Sequence, residues 1–364
     1  MFALGRFFGV PIYFAPSWLL VAVLLTISYA PVVTGVVPGT SSSNAYLVSA
    51  LFAVLFAGCV LAHELGHTAV SLLLGCPVRR IVIFLLGGVS EIEREPQRPR
   101  DEFFIAAAGP LVSVVLAGVA RGGYAIVAKD SLPGALLGLL FWSNLIVAVF
   151  NLVPGLPLDG GRLLRAAVWS AGASRLTGTR VSAWAGRGFA IVVAVVGLVA
   201  DRSAGITAGL ISLALAAYLW FGATQALRSG ELMDRVPALN VDLLLRPGLM
   251  VPADLSVAEA LRRAWTGNAR GLVLVDAADQ PQAIVDEASI GAVPPERRPW
   301  TRLADVARRL EPGMVLQTGL TGEDLLAAVR ATPAHEYLVV HRDGSPAGIL
   351  AAADLTAKLT GATP

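Results

Sequence analysis

Two hydrophobic patterns share this chain. From residue 1 to 228, long apolar runs are separated by short polar loops; from 229 to 364, apolar and polar residues alternate at the short intervals of a water-soluble domain. A helical span needs about 20 predominantly apolar residues. Six runs have that character: 17–34, 46–74, 104–120, 136–153, 184–200 and 204–226. The first, from Trp18, lacks a small-residue cleavage site and is followed by further spans, so it reads as a retained span and not as a leader. Loop charge then sets orientation. The loop 35–45 has no Lys or Arg, whereas 75–102 carries Arg79, Arg80, Arg94, Arg98 and Arg100. The loop 121–135 holds Arg121 and Lys129, 154–183 holds Arg162, Arg165, Arg175 and Arg180, and the turn near 201–204 has Arg202. The alternation predicts that both termini are cytoplasmic.

One apolar stretch does not fit this scheme. Residues 81–92 are too short to span and rich in β-branched side chains, with Gly87-Gly88 as a turn signal; they predict a β-hairpin. At membrane depth such a strand must be covered by protein or line a cavity.

The tail repeats itself. Shifted by 65 residues, Pro247-Gly248 falls on Pro312-Gly313, Leu272–Val275 on Tyr337–Val340, Pro281 on Pro346 and Ile284 on Ile349. Ser256-x-x-Glu259 falls on Thr321-x-x-Asp324, both helix-start capping signals. Two β-α-β-β-α-like units in a pseudo-symmetric module follow. The domain boundaries read 1–228 for the membrane part, 229–241 for a linker and 242–364 for the tail, with copies at 242–295 and 305–360.

Composition agrees. Of 364 residues, 55% are hydrophobic and 15% charged, against about 25% charged in soluble domains. The net charge is +2 and the basic residues are scattered, which argues against a nucleic-acid partner. Cys59 and Cys76, on one helix, would lie about 25 Å apart and stay as free thiols.

The chemistry concentrates at His63-Glu64-Leu65-Gly66-His67, an H-E-x-x-H motif. Its histidines are one helical turn apart and can share one Zn²⁺, with Glu64 as general base. With 4 His in 364 residues, chance would produce the motif on the order of once in a thousand such chains. Charged and polar groups are also costly inside an apolar helix. Zinc needs a third ligand and an open position for water. The leading candidate is Asp159, in Asn151-Leu-Val-Pro-Gly-Leu-Pro-Leu-Asp159-Gly-Gly161, where Pro154, Gly155 and Pro157 break the fourth span and irregular backbone lines a cavity.

H-E-L-G-H in one span and N-x-x-P-x-x-x-x-D-G in a later one resemble the site-2 protease family of intramembrane zinc metalloproteases. The resemblance covers residues 1–228. It extends to Gly9-Val-Pro-Ile12 ahead of Pro16-Ser17-Trp18, to the Gly87-Gly88 hairpin and to Ala107-Ala-Gly-Pro110. It implies His63, His67 and Asp159 as zinc ligands, Glu64 as base and Asn151 as an aid to the substrate carbonyl. It also implies the 81–92 hairpin as a clamp on an unwound substrate strand. The substrate would be a single-pass membrane protein of the lipid bilayer, a membrane-bound transcription factor or an anti-sigma or pro-sigma type regulator, cut within or near its transmembrane helix after an earlier protease has trimmed it. Two positions depart from the family pattern: Ala15 replaces a His, and Ser113 an Asn three residues after Gly-Pro.

The tail resembles a pair of CBS domains, which bind adenosine nucleotides through G-x-x-T-x-x-D and associate as homodimers. The second copy reads Gly348-Ile-Leu-Ala-Ala-Ala-Asp354, with Ala351 at the Thr position; the first has Ala283, Asp286 and Ser289. Gly348 and Asp354 are thus the candidate nucleotide residues, and a purely dimerising or docking tail is the alternative. His335 and His341 read as surface or strand residues. A transporter or channel with a regulatory CBS pair is a rival, but it leaves Glu64 and the motif spacing unexplained; an inactive binding member is a second. The fold class expected is a polytopic α-helical membrane protein with a short β-hairpin plus a cytoplasmic α/β CBS pair, and the function zinc-dependent intramembrane proteolysis.

Overall fold

The computed structural model describes residues 1–84, 87–93, 95–204, 206–285 and 287–361. Leu85 and Leu86 of the hairpin, Arg94 of the basic loop, Gly205 of the sixth run and Asp286 of the first tail copy lie outside the described residues. The chain forms two units, Met1–Arg228 and Ser229–Pro364.

Among the described residues, six helices are long and apolar enough to cross a membrane. They are α1 (Ser17–Val36), α2 (Ser42–Leu73), α3 (Pro99–Ile126), α4 (Leu132–Asn151) and, after the short α5 (Asp159–Ser170), α6 (Arg175–Ala204) and α7 (Ile206–Arg235). Ser41 starts α2 by accepting a hydrogen bond from the Asn44 N–H at 3.3 Å, and Ser131 starts α4 by accepting one from Gly134 at 3.2 Å. Leu19, Leu20, Val23, Leu24 and Ile27 of α1 all face outward, the opposite of an aqueous surface and the signature of a helix solvated by lipid.

The hairpin is part of something larger. A four-stranded sheet runs in the order β1 (Phe2–Phe7), β2 (Val10–Phe14), β3 (Val78–Phe84), β4 (Gly87–Ile92). Strand β2 lies parallel to β3, pairing Ile12 with Ile81, and the other two pairings are antiparallel. Val10, Ile12, Ile81 and Ile83 point inward and pack on Phe56, Val60, Leu61 and Leu65 of α2, so protein covers the strands. One expectation is corrected here. Gly87 and Gly88 are not the turn: they pair with Phe84 and Ile83 as the first residues of β4.

The tail keeps its repeat in three dimensions. Strand β6 (Gly248–Pro252), α8 (Val257–Thr266), β7 (Gly271–Val275), β8 (Pro281–Val285) and α9 (Glu287–Gly291) make the first unit. Strand β10 (Val315–Gln317), α10 (Gly322–Ala331), β11 (Glu336–Val340), β12 (Pro346–Ala351) and α11 (Ala352–Thr360) make the second. Each sheet is completed from the other repeat's lead-in: β5 (Leu245–Arg246) joins β12, and β9 (Arg308–Arg309) joins β8. Val273 and Ile284 of the first sheet share a core with Met314, Leu338 and Ile349 of the second half. The two capping signals act unequally. Ser256 accepts from the Glu259 N–H at 3.3 Å, while Thr321 sits at its N-cap without a side-chain bond. The Glu259 carboxylate pairs with Arg262 and Arg263, whose guanidinium donors pull its pKa down to about 2.

Candidate metal centre

The long helix α2 carries the motif residues on its buried face: His63, Glu64 and His67 are all nearly sealed from solvent. Two other helices bring partners to them. Helix α3 passes close enough that a Cβ on Gly109 would collide with both imidazole Nε2 atoms. The glycine of Ala107-Ala-Gly-Pro110 therefore has a packing cause. The loop after α4 delivers Asp159 as the first residue of α5, bonded on its way to α6 through the Leu156 N–H and the Ser182 carbonyl at 3.0 Å.

Three donor atoms converge. His63 Nε2 lies 3.1 Å from Asp159 Oδ2, His67 Nε2 lies 3.2 Å from the same oxygen, and the two Nε2 atoms are 3.2 Å apart. Among the described residues this is the single group of His, Cys, Asp or Glu able to share an ion. The exposed His335 and His341 and the free thiols of Cys59 and Cys76 stand outside it.

The outer hydrogen bonds decide what this triangle is for. His67 Nδ1 lies 2.7 Å from the Ile105 carbonyl oxygen. A carbonyl can only accept, so Nδ1 carries a proton, and the neutral imidazole then turns its Nε2 lone pair into the triangle. His63 Nδ1 meets the Ser113 hydroxyl at 2.9 Å. A lone pair facing a carboxylate oxygen and a second imidazole nitrogen is repulsive unless a cation sits among them. Bond lengths of about 2.0–2.1 Å to a tetrahedral Zn²⁺ place its ligand atoms about 3.3 Å apart. The observed 3.1–3.2 Å edges fit that ion, as does the nitrogen-and-oxygen donor set.

Glu64 stands beside the triangle under strand β4. The Ser90 hydroxyl donates to its Oε2 at 2.9 Å, and a Cβ at Gly88 would overlap the Glu64 side chain. Gly88 is thus needed for close approach, whereas Gly87 stands out by its positive φ of 136°. Asn151 is the last residue of α4, half-buried, without a side-chain hydrogen bond among the described residues. In the tail, Gly348 lies on β12 and Asp354 in the first turn of α11. The Asp354 carboxylate accepts two bonds from Arg246 of β5, at 2.6 and 2.7 Å.

Three features escaped sequence reasoning. Ser113, read as a departure, is the partner of His63. Ser90 had no motif to mark it. The buried ion pair of Glu102 on α3 with Arg165 on α5, joined by Arg175 of α6, had none either. For this last a signal existed: Glu102 is a carboxylate at the start of an apolar run.

Comparison with known proteins places this arrangement. Peptidase family M50 matches residues 51–131 and 124–195. A Synechocystis sp. protein provisionally named a zinc metalloprotease is 28% identical over 96% of this chain and 93% of its own. A Mycobacterium tuberculosis protein with the same provisional description is 30% identical over 84% of this chain and 79% of its own. The solved site-2 protease of Methanocaldococcus jannaschii is similar at 26% identity, covering 62% of this chain and 94% of that one, with a TM-score of 0.42. The chain is therefore a membrane zinc metallopeptidase. It belongs to peptidase family M50, the site-2 proteases.

Proposed function

We propose that His63, His67 and Asp159 hold the zinc and that Glu64 is the general base of an intramembrane endopeptidase. The observation that carries this reading is the triangle of donor atoms with the His67 lone pair fixed inward by the Ile105 carbonyl. Bound there, zinc supplies Lewis-acid polarisation of the scissile carbonyl and lowers the pKa of its water. Glu64 takes the water proton and returns it to the leaving amine. Ser90 occupies Oε2, so Oε1 is the oxygen that receives it. Asn151, at the open end of α4, donates its amide to the substrate carbonyl. The buried walls around His63 and His67 exclude bulk water, and a helical substrate unwinds locally before it is cut.

The substrates we infer are membrane-anchored regulators of the anti-sigma or pro-sigma type, cut in regulated intramembrane proteolysis. The arginine-rich loops support cytoplasmic termini and a cytoplasmic tail. The organisation we favour is a membrane domain over 1–228, a linker over 229–241 and CBS copies at 242–295 and 305–360 that modulate cleavage and pair as a homodimer. An adenosine nucleotide at Gly348 and Asp354 would have to displace Arg246 from the carboxylate.

The test is cleavage of a single-pass membrane substrate by purified full-length protein. Glu64→Gln should lower kcat by about 10²–10⁴ while zinc stays at one per chain. Unchanged processing by that variant would rule the mechanism out.

A further inference from the structure

A pocket lies on the membrane domain, apart from the triangle. It is a cavity of about 310 Å³ between the last turn of α1 and the α3–α4 hairpin, lined by Val33, Arg121, Tyr124, Gly138, Phe141 and Trp142 among others. Its volume suits a small ligand and is far too narrow for a helix about 10 Å across. Its walls are apolar, and Arg121 is the one charged residue lining it.

Arg121 sits five residues inside the end of α3, about 7.5 Å along the axis. A cation within a span needs an anionic partner or a route to the interface. Among the described residues no carboxylate pairs with it. Its guanidinium lies 6.0 Å from the ring centre of Tyr124, one turn nearer the helix end, so the side chain reaches toward the interface. Tyr124 and Trp142 are the aromatic types enriched at that level. A cation presented beside an apolar slot near the end of three spans is complementary to an anion that carries a hydrocarbon chain.

We propose that this groove binds one anionic phospholipid, with the phosphodiester on the Arg121 guanidinium and an acyl chain along Val33, Gly138 and Phe141. Guanidinium is the side chain best matched to phosphate, through two parallel hydrogen bonds. The lipid ties the end of α1 to the α3–α4 hairpin.

The experiment is native mass spectrometry of the full-length protein released from nanodiscs of phosphatidylglycerol, with zinc content measured on each sample. The wild type should retain one lipid per chain. Arg121→Gln should lower the retained fraction about tenfold. Gly138→Leu should do the same by filling the slot while leaving Arg121 in place; an added Cβ at Gly138 meets the Tyr124 ring at an ordinary 3.6 Å. Arg100→Gln, at an exposed site, should retain the lipid. Wild-type retention in Arg121→Gln and in Gly138→Leu would overturn the proposal. So would thermal stabilisation by inorganic phosphate alone as large as that by added phosphatidylglycerol, which would make Arg121 a free-anion site.

Discussion

At the scale of single residues, the proposed metal centre rests on atoms that would never touch the metal. Ser113 meets His63 Nδ1 at 2.9 Å, and such outer partners are worth about 10–100-fold in metal affinity. Ser113→Ala should therefore weaken zinc binding by that factor in a chelator competition, and Ser113→Asn, which restores a hydrogen-bonding group, should recover part of it. The H-E-x-x-H motif and Asp159 were legible in the sequence because few residue types do that chemistry and apolar helices exclude them. Ser113 was not, because serine is common in spans and only the fold shows which imidazole it faces. Gly109 was legible as a motif but not as a cause: a forbidden Cβ is visible only once α3 lies against α2.

At the scale of elements, the third donor is only as well placed as the helix that presents it. Helix α5 is held to α3 by Arg165 and the fully buried Glu102, with Arg175 of α6 at 3.8 Å from the same carboxylate. Removing one partner of a buried ion pair strands the other and costs about 3–5 kcal/mol. Glu102→Ala should thus lower the unfolding temperature by about 10 °C and loosen zinc, read in the same thermal scan with and without chelator. The six spans were legible from length and hydropathy, and their ends moved by up to nine residues, where helices ran on past the apolar stretch. The N-terminal strands were not. Their hairpin turns at Phe8 and Gly9, both at positive φ, and phenylalanine hides a turn that Asn or Gly would announce. The inward alternation of Val10 and Ile12 was the remaining clue, too short to stand alone beside Pro11.

At the scale of the whole molecule, the 65-residue shift mapped every element of one tail repeat onto the other. It could not show that each sheet borrows its edge strand across the repeat boundary. Residues 229–364, with two hydrophobic clusters and a shared third, should fold alone in one cooperative transition. A fragment ending at residue 300 lacks β9 and should show no such transition by circular dichroism. Arg246→Ala should raise the affinity for adenosine nucleotide at Asp354, measured by calorimetry on the full chain, because the competing guanidinium is gone. The exchange of edge strands also has a consequence during synthesis. Strand β5 is made by residue 246, but the strand it pairs with is complete only at residue 351. At roughly 5–20 residues per second, β5 waits about 5–20 s for its partner. For that interval the ribosome carries a half-built pair whose open sheet edge must be kept from its neighbours on the polysome.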